Sequence, residues 1–202
     1  MVILGAGGHI GSEIVRSLEQ DHDVISAALR SGDVQVDYTD EGSVRSMFEQ
    51  LDGLDAVVAV VGGDSVFKHY EELSFEDYEH GFRRKFMAQI NLVRIGAEYV
   101  NDGGSFTLSS GFLSHYPNPY SVATGPFNAA VDSFVRSTAP LMPRQIRLNV
   151  VSPAPVVEPE QARRGVVTAI DAAAAYVEAV TGDFSGRVIR EWGGLEEDSL
   201  PE

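Results

Sequence analysis

Short apolar runs alternate along this chain with stretches in which apolar residues recur every three or four positions. The runs cover residues 2–4, 24–28, 34–36, 56–61, 106–108, 147–151 and 187–191. Several are β-branched and lack strict apolar-polar alternation, the pattern of strands covered on both faces. Between them, Ile10, Ile14, Val15 and Leu18 fall at helical spacing, as do Val44, Met47, Phe48 and Leu51. Two longer amphipathic helices are predicted, one over 79–100 with Phe82, Phe86, Ile90 and Val93 on its apolar face, the other over 127–141 with Phe127, Val131, Phe134 and Val135. This alternation predicts an α/β fold, a doubly wound, mostly parallel sheet of seven strands with helices on both faces. Residues 1–194 read as a single domain, with Asp102-Gly103-Gly104 and 153–159 as turn and loop inside it and 195–202 as a polar tail.

Composition removes several classes of chemistry. The chain has 202 residues, 44% of them hydrophobic and 22% charged, the balance of one compact domain. It has no Cys, hence no disulfide framework, thiolate nucleophile or Cys-ligated metal. The five histidines, His9, His22, His69, His80 and His115, show no paired ligand spacing, so no metal is expected. Asp and Glu number 30 against 15 Lys and Arg, a net charge of -15 that repels phosphate backbones and anionic lipid. No nucleic-acid or membrane partner is therefore expected. Only Lys68 and Lys85 are lysines, a skew that fits either a high-salt cytoplasm or an Arg-rich, GC-biased genome. Without a membrane-length apolar run or a basic leader, the expected location is cytoplasmic.

The first candidate site is Leu4-Gly5-Ala6-Gly7-Gly8-His9-Ile10-Gly11, set between the first strand and the first helix. Glycines permit a tight turn and close backbone approach, and the helix N-terminus favours an anion by ~0.3–1 kcal/mol. A dinucleotide pyrophosphate suits this place in a doubly wound sheet. At the end of the second strand, Ser26-Ala27-Ala28-Leu29-Arg30-Ser31 carries no carboxylate to meet free ribose hydroxyls. Arg30 and Ser31 instead offer a fork and a hydroxyl to a 2′-phosphate, so NADP is expected ahead of NAD.

These segments, with Val34-Gln35-Val36-Asp37-Tyr38-Thr39-Asp40, the strand ending in Gly62-Gly63, Phe106-Thr107-Leu108-Ser109-Ser110-Gly111, Leu148-Asn149-Val150-Val151-Ser152-Pro153 and the terminal Trp192-Gly193-Gly194, stand in the order and spacing of a known family. The chain resembles the short-chain dehydrogenases/reductases. The resemblance implies a one-domain Rossmann fold, NAD(P) as cofactor, hydride transfer to or from a small carbonyl or alcohol substrate, and a homodimer or homotetramer. It implies that Gly5 and Gly11 are the outer glycines of the phosphate turn, that Gly7, Gly8 and Ile10 complete it, that Asp37 meets the adenine, and that Gly62 lies beside the adenosine ribose. His9 stands where the family has its middle glycine, and it either contacts the pyrophosphate or points to solvent.

The family's catalytic pattern of Asn, Ser, Tyr and Lys is altered. In the preferred register Ser110 keeps the Ser position, while Lys85, Thr124 and Asn128 occupy those of Asn, Tyr and Lys. Sliding the alignment by four residues puts Tyr120 and Thr124 in the Tyr and Lys slots instead. A Thr hydroxyl cannot act as a general acid near neutral pH, and loss of acid–base help forfeits ~10²–10⁴ in rate. The expected centre therefore has Ser110 holding the substrate oxygen, Tyr120 or an ordered water supplying the proton, and Lys85 or Asn128 positioning the ribose; Tyr120 otherwise packs under its loop. His115 faces either the substrate or solvent, and Arg83-Arg84-Lys85 is either an anion-attracting cluster or a solvated helix face. Loss of the Tyr–Lys pair favours a second class of function, a non-catalytic NADP-binding redox sensor or partner-binding protein. A cofactor-assisted isomerase or dehydratase has no specific support. The short segment between Pro153 and Val166 leaves little substrate enclosure.

Overall fold

The computed structural model describes residues 1–62 and 65–196. Gly63 and most of the expected tail, 197–202, lie outside the described residues. The sheet has seven parallel strands, β1 Val2–Leu4, β2 Ile25–Ala28, β3 Val34–Gln35, β4 Leu54–Ala59, β5 Val100–Ser109, β6 Arg147–Pro153 and β7 Val188–Glu191. Their order is β3-β2-β1-β4-β5-β6-β7, so the winding direction reverses between β1 and β4. Ligand crevices of doubly wound sheets open at that reversal, beyond the C-terminal strand ends.

Successive residues of a strand point to opposite faces, and here both faces are covered. Val2, Leu4, Val57, Phe106, Leu148 and Val150 pack on one side against helices α2 (Glu41–Gln50), α4 (Ala88–Gly96) and α5 (Gly125–Thr138). Ile3, Val58 and Val151 pack on the other against α1 (His9–Leu18) and α6 (Ala169–Thr181). Each fully buried Leu, Ile or Phe contributes ~1.5–3 kcal/mol, which is why these runs are apolar throughout rather than alternating.

Local signals set the helix starts. Asp40 caps α2 by accepting from Ser43 N, and Thr168 with Asp171 forms a reciprocal capping box at the head of α6. Ser74 and Asp77 do the same for α3 (Phe75–Gly81). The long helix expected over 79–100 thus begins at Phe75, passes through a wide π turn at Phe82–Met87, continues as α4 and ends at Gly96; Val100 already belongs to β5. The turn expected at Asp102-Gly103-Gly104 is a loop-out within β5, where the pairing jumps from Leu54↔Val100 to Ala56↔Ser105. Among the described residues no helix is long and apolar enough to cross a membrane, and no group of three His, Cys, Asp or Glu could hold a metal ion.

Candidate active site

The glycine turn leaves β1 at the reversal point. Gly5 takes a left-handed φ of +83°, and any Cβ there would collide with Val60 O. A Cβ on Gly11 would collide with Gly5 O, so the helix start and the strand end touch backbone to backbone. Gly7, Gly8 and His9 are exposed, Ile10 is half-buried, and the space over Gly7 is open. Gly8 caps α1 with no side chain, and no acid stands in the first turn. Gly8 N donates to Gly5 O at 3.0 Å and Ser12 N to Gly8 O at 2.9 Å, and the amides between these two are those a helix start leaves free. The result is an uncluttered, positively polarised mouth in an acidic protein.

Two clefts flank it. One of about 330 Å³ is lined by Ala6, Gly7, Ser26, Ala28, Ser31 and Gly32. The exposed loop beyond β2 bears Arg30 and Ser31, and it is folded by Asp33, whose Oδ2 accepts from Ser26 N at 2.9 Å and Ser26 Oγ at 2.7 Å. The other, of about 390 Å³, lies between His9, Ser12 and Glu13 and the segment Val156–Gln161 with Ile170. Asp37 turns inward on its own loop: Oδ1 accepts from Thr39 Oγ1 at 2.6 Å and Thr39 N at 2.9 Å. Those bonds hold its carboxyl below the usual carboxylate range, with Arg84 adding to the effect.

Past the end of β4, Gly62 has a φ of +124°, and a Cβ there would sit 2.8 Å from Lys85 Nζ. Lys85 is buried in the π turn, whose extra residue re-aims the side chains it carries. Its Nζ donates to Val61 O at 3.2 Å and Ser110 O at 3.1 Å, tying the ends of β4 and β5 together. Burial pushes its pKa down to about 8, against the pull of the Asp132 charge. Gln89, fully buried, anchors the turn: Nε2 donates to Lys85 O at 2.7 Å and Ser109 O at 2.9 Å, while Oε1 accepts from Ser109 N at 2.8 Å. A pocket of about 10 Å³, the size of one water, is enclosed by Gly62, Arg84, Lys85 and Thr124 among others.

The helix α5 brings up the remaining groups. Thr124 is buried and donates its hydroxyl to Val66 O at 2.9 Å. Asn128 lies one turn on, its Nδ2 against Gly111, where a Cβ would come within 2.9 Å. Asp132 follows at the next turn, also buried. Ser110 Oγ, Asn128 Oδ1 and Asp132 Oδ1 are buried and make no hydrogen bond of good geometry among the described residues, although the Ser110 hydroxyl is near enough to Asp132 to favour its charged form. Buried polar atoms without partners are uncommon, and three together mark a place built to receive something polar. Tyr120 stays outside it, 55% exposed, with its ring against His69 at 5.7 Å.

The structure thus brings Ser110, Lys85, Thr124 and Asn128 together with Gly62 and leaves Tyr120 at the rim. Sequence reasoning passed over Gln89 and Asp132. A polar row at Thr124, Asn128 and Asp132, each four residues from the last, was the available signal for Asp132.

Comparison with known proteins shows the family to which this fold belongs. The profile described as Enoyl-(Acyl carrier protein) reductase, of the short-chain alcohol-dehydrogenase type, matches residues 8–182. The chain belongs to the short-chain dehydrogenase/reductase family. Among solved structures similar to this short-chain dehydrogenase/reductase, the Listeria innocua protein lin1944 is 35% identical with a TM-score of 0.87, over 94% of this chain and 97% of that one. A small-chain dehydrogenase solved in complex with NADPH is 27% identical with a TM-score of 0.85, over 96% of each chain. A hydroxynaphthalene reductase-like protein, Arp2 of Metarhizium brunneum, is 30% identical over 139 residues, 65% of this chain. The chain spans about half the length of that curated relative, 51% of it being covered.

Proposed function

We propose that this chain is an NADP(H)-dependent oxidoreductase acting on a small carbonyl or alcohol, with a rebuilt centre in which Ser110 binds the substrate oxygen. The observation that carries the reading is the cluster of unpaired buried polar atoms at Ser110, Asn128 and Asp132, beside a buried Lys85 and past the C-terminal end of β5, the same end of the parallel sheet at which the glycine turn leaves β1. The residues present suit a dinucleotide: a mouth built on Gly5, Gly7, Gly8 and Gly11 with no acid in the first helical turn for the pyrophosphate, and Ser31 and Arg30 beside a cleft at the end of β2. Bound NADP(H) would supply or accept the hydride.

In this reading Gly5, Gly7, Gly8, His9, Ile10 and Gly11 hold the diphosphate, and Gly62 and Asp37 flank the adenosine. Lys85 and Asn128 hold the nicotinamide ribose, and the buried ammonium favours negative charge growing on the substrate oxygen. Burial of Thr124 and Asn128 on one helix face, against the exposure of Tyr120, supports the register that puts them in the Tyr and Lys positions. Thr124 then serves structure, since its hydroxyl is committed to Val66 O.

Titration with NADPH, followed by quenching of the single tryptophan, Trp192, and then by absorbance at the reduced nicotinamide band with aldehydes and ketones, tests the proposal. Binding with turnover is expected. Binding without any turnover favours the non-catalytic NADP-binding sensor, which the absence of a phenol from the buried cluster supports; absence of binding removes both. Arg30→Ala is expected to weaken NADPH about 10- to 100-fold and leave NADH affinity unchanged, as loss of one charge-assisted phosphate contact would. Equal losses for the two nucleotides would exclude Arg30 as the phosphate ligand.

A further inference from the structure

No phenol stands in the cluster behind Ser110 to hand on a proton, yet a buried acid does. Asp132 is 3% exposed on α5, with Oδ1 unpaired among the described residues. Its Oδ2 lies 3.9 Å from Nε2 of His115 and 3.5 Å from the Ser114 hydroxyl. His115, whose side chain is 20% exposed, lies tilted against Trp192 with ring centroids 5.0 Å apart. A line of exchangeable groups thus leads from the interior at Ser110 through a carboxyl to an imidazole that touches solvent. Asp132 caps no helix, and neither the Ser114 hydroxyl nor the His115 ring is close enough to pair its charge tightly. Burying a further carboxylate in a chain of net charge -15 is costly without a use for it.

The geometry points to a proton path from His115 through Asp132 to Ser110 that delivers the substrate's proton; this rests on the oxidoreductase reading above. In the reducing direction the Ser110 Oγ–H bond breaks and its proton passes to the substrate oxygen, whose carbon receives the hydride. Ser110 Oγ takes the proton of the Asp132 carboxyl, the carboxylate takes one passed through the His115 ring, and the ring is resupplied by a solvent acid, hydronium or protonated buffer, which is left as its conjugate base. The carbonyl gains one hydride and one proton, and only the nicotinamide is oxidised. Burial raises the Asp132 carboxyl above its usual range, so that it holds a proton more readily. The groups facing it, Ser110 on the β5 loop, His115, Arg136 on α5 and Arg190 on β7, pull the other way, and Lys85 feels its charge from the π turn.

Two variants and one measurement without nucleotide test the path. Asp132→Asn, which keeps size and shape, is expected to slow reduction about 10- to 100-fold with NADPH affinity within about twofold. It also flattens the pH dependence of the rate on the acid side of the Lys85 titration. His115→Ala is slowed too and regains rate when imidazole is added to the buffer. On the protein alone, the melting point of the wild type is expected to fall relative to that of Asp132→Asn as pH rises from about 4, because the buried carboxyl binds its proton more tightly in the folded chain and loses that stabilisation on ionising, which the amide does not. Wild-type rate and pH profile in Asp132→Asn, or a melting-point difference between the two proteins that stays constant over this acid range, would overturn the path while leaving the oxidoreductase reading intact. Absence of turnover in the wild-type protein that binds NADPH overturns the oxidoreductase reading, and the path with it.

Discussion

Gly11→Ala is expected to abolish measurable nucleotide binding and lower the melting temperature by about 2–12 °C. The added methyl would meet Gly5 O and press within 2.8 Å of Gly5 C and 2.9 Å of Ala6 Cα. These are backbone atoms, so no side-chain rotation relieves the clash and α1 must move away from β1. Overpacking of this kind costs ~1–3 kcal/mol, and each kcal/mol shifts the melting point of a domain this size by roughly 2–4 °C. The same movement spreads the free amides that would converge on a diphosphate, so binding suffers beyond the loss of stability. Gly7→Ala is the control: nothing lies within 4 Å of the Cβ built there, so the fold should be unaffected. Calorimetric titration with NADPH alongside thermal melts checks both, and nanomolar to micromolar binding by Gly11→Ala would show that the turn does not grip the nucleotide.

The sheet was legible because burial on both faces writes a continuous apolar signature. All seven runs became strands, with boundary shifts of a few residues. What escaped detection had weak contrast. The helix α6 reads Ala-Ile-Asp-Ala-Ala-Ala-Ala-Tyr-Val-Glu-Ala-Val-Thr, and alanine on every side blurs the apolar stripe by which helices are recognised. Its capping box at Thr168 and Asp171, and that of α3 at Ser74 and Asp77, were the readable signals. The π turn has no such marker, since nothing in Phe-Arg-Arg-Lys-Phe-Met announces a wider turn. Lys85 was found from its place in the family's order, but its burial and lowered basicity depend on Gly62, Ser110 and Gln89, which are distant in sequence. Asp132 escaped for a related reason: on a helix read for apolar phase, a lone acid passes as part of the solvated face until the fold puts it beside Ser110.

Lys85→Met is expected to lower the rate of carbonyl reduction by about 100-fold or more and to change how stability depends on pH. The rate falls because the ammonium is the buried cation nearest Ser110, and stabilisation of developing charge inside a dry site is worth several kcal/mol. For stability the sign follows from burial. Lys85 has its pKa lowered from 10.5 to about 8 in the folded protein, so between those values the unfolded chain binds more protons and stability rises with pH. Below pH 8 the cost of burying the charge is fully present; above it the folded protein holds a neutral amine and the cost fades. At 1.36 kcal/mol per unit, the wild type should gain roughly 3 kcal/mol on Lys85→Met between pH 8 and 10.5, or about 6–12 °C in the difference between their melting points. Comparing the two proteins removes every titration they share, such as that of Tyr176, raised to about 12 by burial. A difference in melting point that stays constant across this range would mean that the Lys85 amine is solvated. The wild-type reduction rate should also decline as pH passes about 8, because the neutral amine no longer opposes the charge on the substrate oxygen.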